Sequence, residues 1–206
     1  MKKFIAVVAY CLPLLAFAQP EKGTVLLSGN VAFNKGEDGQ IVAPTRTTQS
    51  DFSAYVGYFV SPGVAVGVMG DYSTIEWAQD ASNSFGKTIT RQRGFGAAPF
   101  VRYYHPVTER FFFFVEGNAG YAGNSYRVSQ SDPMQSYKTK SSGLSVNIRP
   151  GISYFIAKRW AVELLLGSLT YNNMKYTDSS GESKNTDSFR LNFLTRGVAP
   201  SVLFTF

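Results

Sequence analysis

Apolar and polar residues alternate along most of this chain, and capped runs at helical spacing are missing. Alternation sends successive side chains to opposite faces of a strand. It predicts eight strands, at 24–33, 49–60, 64–77, 87–104, 111–127, 139–156, 160–176 and 187–206. In the second, Phe52, Ala54, Val56, Tyr58 and Val60 share one face, against Asp51, Ser53 and Gly57. In the third, Val64, Val66, Val68 and Tyr72 oppose Ala65, Gly67, Asp71 and Ser73. In the sixth, Leu144, Val146, Ile148, Ile152 and Tyr154 oppose Ser145, Asn147, Arg149 and Ser153. In the seventh, Trp160, Val162, Leu164 and Leu166 oppose Ala161, Glu163 and Gly167. One face is apolar and the other small or polar. In the last strand Phe189, Leu191 and Phe193 have the opposite parity to Val198, Val202, Phe204 and Phe206, which predicts a bulge near 195–197.

A short pattern recurs on these strands. Pro99, Val101 and Tyr103 alternate along one strand, as do Pro150, Ile152 and Tyr154, and Pro200, Val202 and Phe204. Ala54, Val56 and Tyr58 form a fainter copy. The repeat predicts similar hairpins whose returning strands share an outer face. Proline removes a ladder hydrogen bond, so a bulge or a local water is expected at each copy.

The connections alternate in length. Those at 61–63, 105–110 and 157–159 are tight, whereas 34–48, 78–86, 128–138 and 177–186 are long and rich in Gly, Ser, Asn, Asp and Lys. Strict alternation of short and long connections fits an up-and-down barrel across an outer membrane, with short turns in the periplasm. A sandwich does not require it. A soluble barrel with an apolar interior is the competing arrangement. Aromatic residues ending the apolar face favour the membrane. Tyr58, Tyr103, Phe111, Tyr154, Trp160 and Phe204 lie near the short turns, and Tyr72, Trp77, Tyr121, Tyr171 and Phe189 lie at the far end. The reading is an all-β, eight-stranded antiparallel up-and-down transmembrane β-barrel.

The N-terminus and composition agree with export. Lys2 and Lys3 precede an apolar run from Phe4 to Leu15, and Ala16-Phe17-Ala18 fits a signal-peptidase site. Residues 1–18 are therefore expected to be a signal peptide and 19–206 the barrel domain. The apolar run is too short for a spanning helix, and Pro13 interrupts it. Cys11, the single cysteine, falls in that segment, so the mature domain uses neither disulfides nor Cys-ligated metal. Without Lys2 and Lys3, 18 Lys and Arg stand against 14 Asp and Glu. That mild, scattered excess gives no basic stripe for nucleic acid. Aromatics reach 15%, in keeping with membrane girdles.

The signal segment, eight strands, aromatic strand ends and terminal Phe206 resemble the small outer-membrane β-barrel (porin-like) family, of the OmpX and OmpA-barrel type. The resemblance implies an outer-membrane location. It also implies that the barrel assembly machinery recognises the last strand through Val202, Phe204 and Phe206. Where the family pattern usually has Gly four positions before the end, this chain has Val202.

Chemistry concentrates on the inward face. Arg102, Glu116, Arg149 and Glu163 occur on four successive strands, each near a short turn, with alternating sign. Two readings follow: a gate or narrow ion path, and a salt-bridge plug. An eight-stranded lumen is only just wide enough for side chains, which favours the plug. Catalysis has little support. His105, the single histidine, lies in a short turn, and its position does not match lipid-modifying barrels. One histidine without cysteine makes a poor metal site. Asp178, Glu182 and Asp187 fit no calcium loop, and Lys184 sits among them. No cofactor is expected. Lys87, Arg91, Arg93, Arg127, Lys138, Lys140, Lys175, Lys184 and Arg190 gather toward the far end. Such a belt suits either loop solubility or pairing with the phosphates of outer-membrane lipopolysaccharide. The expected role is structural or interactive. A passive channel for small or apolar solutes and a lipid-modifying enzyme are the alternatives.

Overall fold

In the computed structural model, the described residues are 21–38, 45–80, 87–130, 136–193 and 200–206. The expected signal segment and the expected bulge at 195–197 lie outside them. Ten strand segments follow one another: β1 (Val25–Asp38), β2 (Thr45–Ser61), β3 (Val64–Asp80), β4 (Lys87–Pro106), β5 (Phe111–Ser129), β6 (Tyr137–Ala157), β7 (Trp160–Leu165), β8 (Gly167–Thr177), β9 (Ser183–Phe193) and β10 (Pro200–Thr205). All pair antiparallel. The order β5-β4-β3-β2-β1-β10-β7-β6 closes on itself through β5–β6 pairing. The ring has eight staves, because β7 and β8 share the same edge of β6, and β9 and β10 pair with β8 and β7 in turn.

Alternation reads directly as inside and outside. On β2, Tyr55, Gly57 and Phe59 are buried while Ala54, Val56, Tyr58 and Val60 are exposed. β4 and β5 turn their even-numbered residues inward, and β6 its odd-numbered ones. Tight turns at Pro62-Gly63, 107–110 and Lys158-Arg159 gather at one end, beside the C-terminus. Gly63 adopts φ 75°, and the Tyr104 amide donates to its carbonyl at 2.7 Å, fastening the turn to the next strand. The terminus is held the same way, with the Val25 amide donating to the Phe206 carbonyl at 2.9 Å.

Three features depart from the sequence reading. First, the far-end strands run well past the expected limits. β1 and β2 extend to Asp38 and from Thr45, and the β8–β9 hairpin turns within 178–182. These polar segments lack an apolar stripe, but their backbone ladder continues regardless. Second, the seventh strand breaks at Leu166. The β6 register shifts by one between Gly151↔Leu165 and Ile148↔Leu169, and the Leu166 amide donates to the Pro150 carbonyl at 2.9 Å. That bulge reverses the parity, so Trp160 and Tyr171 both face outward. Third, the short-turn half of the lumen is aromatic rather than small and polar. Tyr55, Phe59, Phe100, Tyr104, Phe112, Phe114 and Phe155 fill it, with Leu26 and Met69.

The ladder is interrupted beside two of the repeated prolines. Through Pro99 the pairing to β3 is continuous, but the pairing to β5 skips Ala98 and Pro99. Pro150 stays in register with β5 and meets the Leu166 bulge on its other edge. Pro200 opens β10 opposite Leu164.

Candidate functional site

The four charged residues meet in the lumen. Arg102, Glu116 and Arg149 are direct cross-strand partners on β4, β5 and β6. Arg102 donates to Glu116 Oε2 through Nε at 3.0 Å and Nη2 at 2.6 Å. Arg149 Nη2 takes the other oxygen, Glu116 Oε1. Glu163 stands on β7, three staves from β4, which is roughly 14 Å along the wall at ~4.8 Å per strand. Arg102 Nη1 nevertheless reaches Glu163 Oε2 at 2.7 Å, so the contact crosses the lumen. The two guanidiniums and two carboxylates carry cancelling formal charges.

Neutral groups complete the cluster. Tyr104 Oη donates to Glu163 Oε1 at 2.8 Å, and Arg102 Nη1 donates to Tyr104 Oη at 2.9 Å. Ser28 on β1 adds a longer bond to Glu163 at 3.4 Å. On the far side Asn118 donates to Glu116, Asn147 to Asn118 and Thr170 to Asn147, at 3.1, 2.9 and 2.8 Å. Sequence reasoning does not pick out Tyr104, Ser28 or Asn118. Tyr104 carries a visible signal, since it shares the parity of Arg102 two residues away.

Aromatic rings close around the central guanidinium. The Arg102 Cζ lies 4.7 Å from the Phe114 ring centroid, 5.3 Å from Tyr55, 5.7 Å from Phe100 and 5.8 Å from Tyr104. Such faces attract a cation and exclude water. Arg102, Glu116 and Glu163 are at most 3% exposed. A buried ion of this kind persists only with partners on every side. Beyond the cluster the lumen opens. A hollow of about 330 Å³, lined by Ser53, Asp71, Asn118, Ser145 and Asn147, has Arg149 in its wall. A second of about 490 Å³, with Gln92, Asn124, Asn172, Ser188 and Arg190, lies nearer the far end.

The other sequence-derived sites fall on the outer face, with one exception. Tyr58, Tyr103, Tyr154 and Trp160 are exposed there, and the Trp160 and Phe204 rings pack in tilted contact with centroids 4.6 Å apart. Val202 and Phe206 are also exposed. Trp77 is the exception. The β2–β3 register is unbroken from Val56↔Val68 to Thr47↔Trp77, which gives Trp77 the parity of Ala65 and Met69, the lumen side. It therefore does not share the face of Tyr72. The conflict is legible in the sequence, since Tyr72 and Trp77 lie five positions apart and have opposite parity in an unbroken strand. His105 is exposed on the outer face with its ring near Tyr103. Among the described residues, no three of His, Cys, Asp and Glu come together as a metal site.

Comparison with known proteins agrees with this architecture. The family model described as "Outer membrane protein beta-barrel domain" matches residues 4–198. No curated protein matches the sequence. Among solved structures, the outer membrane protein OprG from Pseudomonas aeruginosa is similar at a TM-score of 0.52 and 13% identity, covering 93% of this chain and 99% of that one. A major outer membrane protein from Thermus thermophilus is similar at 0.51 and 9% identity, covering 90% and 100%. Ail, the attachment invasion locus protein of Yersinia pestis, follows at 0.49 and 14% identity, covering 90% and 99%. At these identities the likeness concerns the fold alone. The family match spans nearly the whole sequence, and the closed antiparallel ring accords with it: the chain belongs to the outer membrane protein beta-barrel domain family.

Proposed function

We propose that this outer-membrane barrel is a closed structural and surface-interaction protein rather than a conduit. The observation that carries the reading is the neutral Arg102–Glu116–Arg149–Glu163 cluster, packed among aromatic rings across the short-turn half of the lumen. Around Phe59, Tyr104, Phe112 and Phe155 the described lumen lining is mainly ring carbon, with the Ser153 and Tyr104 hydroxyls as its few polar groups. Short turns then face the periplasm, and the long far-end hairpins face the exterior, where they meet lipid or a partner. Residues 1–18 serve as the export signal. The last strand, with Val202, Phe204 and Phe206 outward, is the segment offered to the barrel assembly machinery. The role is not catalytic, and His105, outward beside Tyr103, takes no part in it.

Reconstitution in planar bilayers tests closure. The expected record is a flat baseline, with openings gained in a variant that clears the cluster and its cage, such as R102A/F114A. Steady single-channel currents from the unaltered protein would sink the reading in favour of a passive channel.

A further inference from the structure

The cations of the far end divide by face. Arg190 lines the lumen hollow, and Lys184 pairs with Tyr176 on the lumen parity. Arg91, Arg93, Arg127, Lys138 and Lys140 all have outward parity, on three adjacent staves. The register sets them in two rows. Glu76, Arg91, Arg127 and Lys138 are successive cross-strand partners, and Thr74, Arg93, Ser125 and Lys140 form the next row. The row after that begins Tyr72, Phe95. The cations thus stand immediately beyond the aromatic level, on the same outer wall. Phe95 and Tyr103 are separated by about 26 Å of strand at ~3.3 Å per residue. With a tilt of ~40° that is an apolar band of roughly 20 Å, close to the height of a barrel's lipid-facing belt.

Cations this close on a ladder repel one another. Within these two rows one carboxylate offsets them, Glu76, and it is held by Arg91 Nε at 2.8 Å. Arg93, Arg127, Lys138 and Lys140 form no ion pair among the described residues. Arg91, Arg93, Ser125, Arg127 and Lys138 instead line a hollow of about 110 Å³. Guanidinium forks and one ammonium group lining the same hollow as a hydroxyl suit the oxygens of a phosphate, which accepts several charge-assisted bonds at once.

We propose that this outward patch on β4, β5 and β6 is a binding site for the phosphate of an outer-leaflet phosphoglycolipid, with Arg93, Arg127 and Lys138 as its principal ligands. The position decides the source of the phosphate. An anion-binding site for soluble ligands has no need to stand directly over an apolar wall, whereas a lipid whose chains lie against Phe95 and Tyr121 presents its headgroup at this height. The inference rests on the outer-membrane reading and adds a ligand to it.

The test uses the mature chain in phosphatidylcholine vesicles, with insertion read by flotation and heat-modifiable gel migration. Binding of bis-phosphorylated lipid A, of its dephosphorylated form and of inorganic phosphate is then measured. The phosphorylated lipid is expected to bind at least tenfold tighter than the dephosphorylated one. The R93Q/R127Q/K138Q variant is expected to lose that advantage, while R190Q in the lumen keeps it. Should the triple variant fold poorly, R127Q and K138Q singly are each expected to lose about threefold. Equal binding of the two lipids, or unchanged discrimination in folded variants, would overturn the proposal. So would inorganic phosphate competing as strongly as the lipid, which would make the ligand a free anion. Failure to insert would overturn the membrane reading and the site with it; insertion without discrimination overturns the site alone.

Discussion

At the scale of single residues, Arg102 is held from several sides at once. It bonds Glu116, Glu163 and Tyr104 and lies within four aromatic rings. Removing it leaves two carboxylates buried in the lumen, with the one remaining guanidinium, that of Arg149, paired to Glu116. R102M is therefore expected to destabilise the barrel by about 3–5 kcal/mol, the usual loss for orphaning a buried partner. Urea titration in detergent measures it. E163Q should cost much less in the R102M background than alone, because the two share one interaction. Additive effects would show that the cluster is not a coupled unit. Replacing all four charges with apolar residues of similar size is expected to be far milder than R102M. Alternation alone locates these four residues in the sequence. It does not reveal the ring cage, because Tyr55, Phe100 and Phe114 sit in runs where both parities are aromatic or apolar.

Strands and turns raise a different constraint, the space around the glycines near the prolines. Gly151 follows Pro150, opposite the Leu166 bulge. A Cβ there would overlap Phe114 Cζ and stand 2.7 Å from the Leu164 carbonyl oxygen. The backbone oxygen cannot yield cheaply, so the bulge and the aromatic layer both require glycine. Gly117 on β5 faces open space, with nothing within 4 Å of such a Cβ. G151A is expected to lower the temperature of the heat-modifiable transition by several degrees, and G117A to leave it unchanged or raised. Equal effects would mean that glycine matters here for backbone flexibility alone. The bulge is partly legible in the sequence. Trp160 and Tyr171 are both plausible interface aromatics yet have opposite parities, a conflict that either a break between them or one inward ring resolves, and here it is a break. The far-end hairpins are not legible, since polar residues on both faces of an extended ribbon look like loop.

On the scale of the whole molecule, the last stave closes the ring. β10 pairs with β1 from Gly29↔Val202 to Leu26↔Thr205 and with β7 from Trp160 to Leu164. Phe204 packs in tilted contact with Trp160 and with Phe206, with centroids 4.6 and 5.6 Å apart. Closure and the aromatic edge thus depend on the same few residues. F204S/F206S is expected to reduce the folded fraction in outer membranes severalfold, read from heat-modifiable migration in cell-envelope extracts. Refolding of the purified variant in detergent should suffer less, since no assembly machinery acts there. Equal losses in both settings would assign these rings to barrel stability alone.

The cross-strand line Arg102–Glu116–Arg149 has a consequence for how the chain finds its pairing. A strand slipped by one residue exchanges its two faces entirely. Here such a slip would carry an arginine or a glutamate from its cage into hydrocarbon. An outward arginine costs up to about 2–4 kcal/mol at the bilayer midplane and about 0–1 kcal/mol near the aromatic levels, as for Arg102 beside Tyr103, so the partners it leaves behind are a large part of the penalty. Wrongly registered hairpins are thereby penalised at the strands where apolar residues on both faces would tolerate them best. The buried charges act as a proofreading device: they make the correct alignment of β4, β5 and β6 distinguishable from its nearest error.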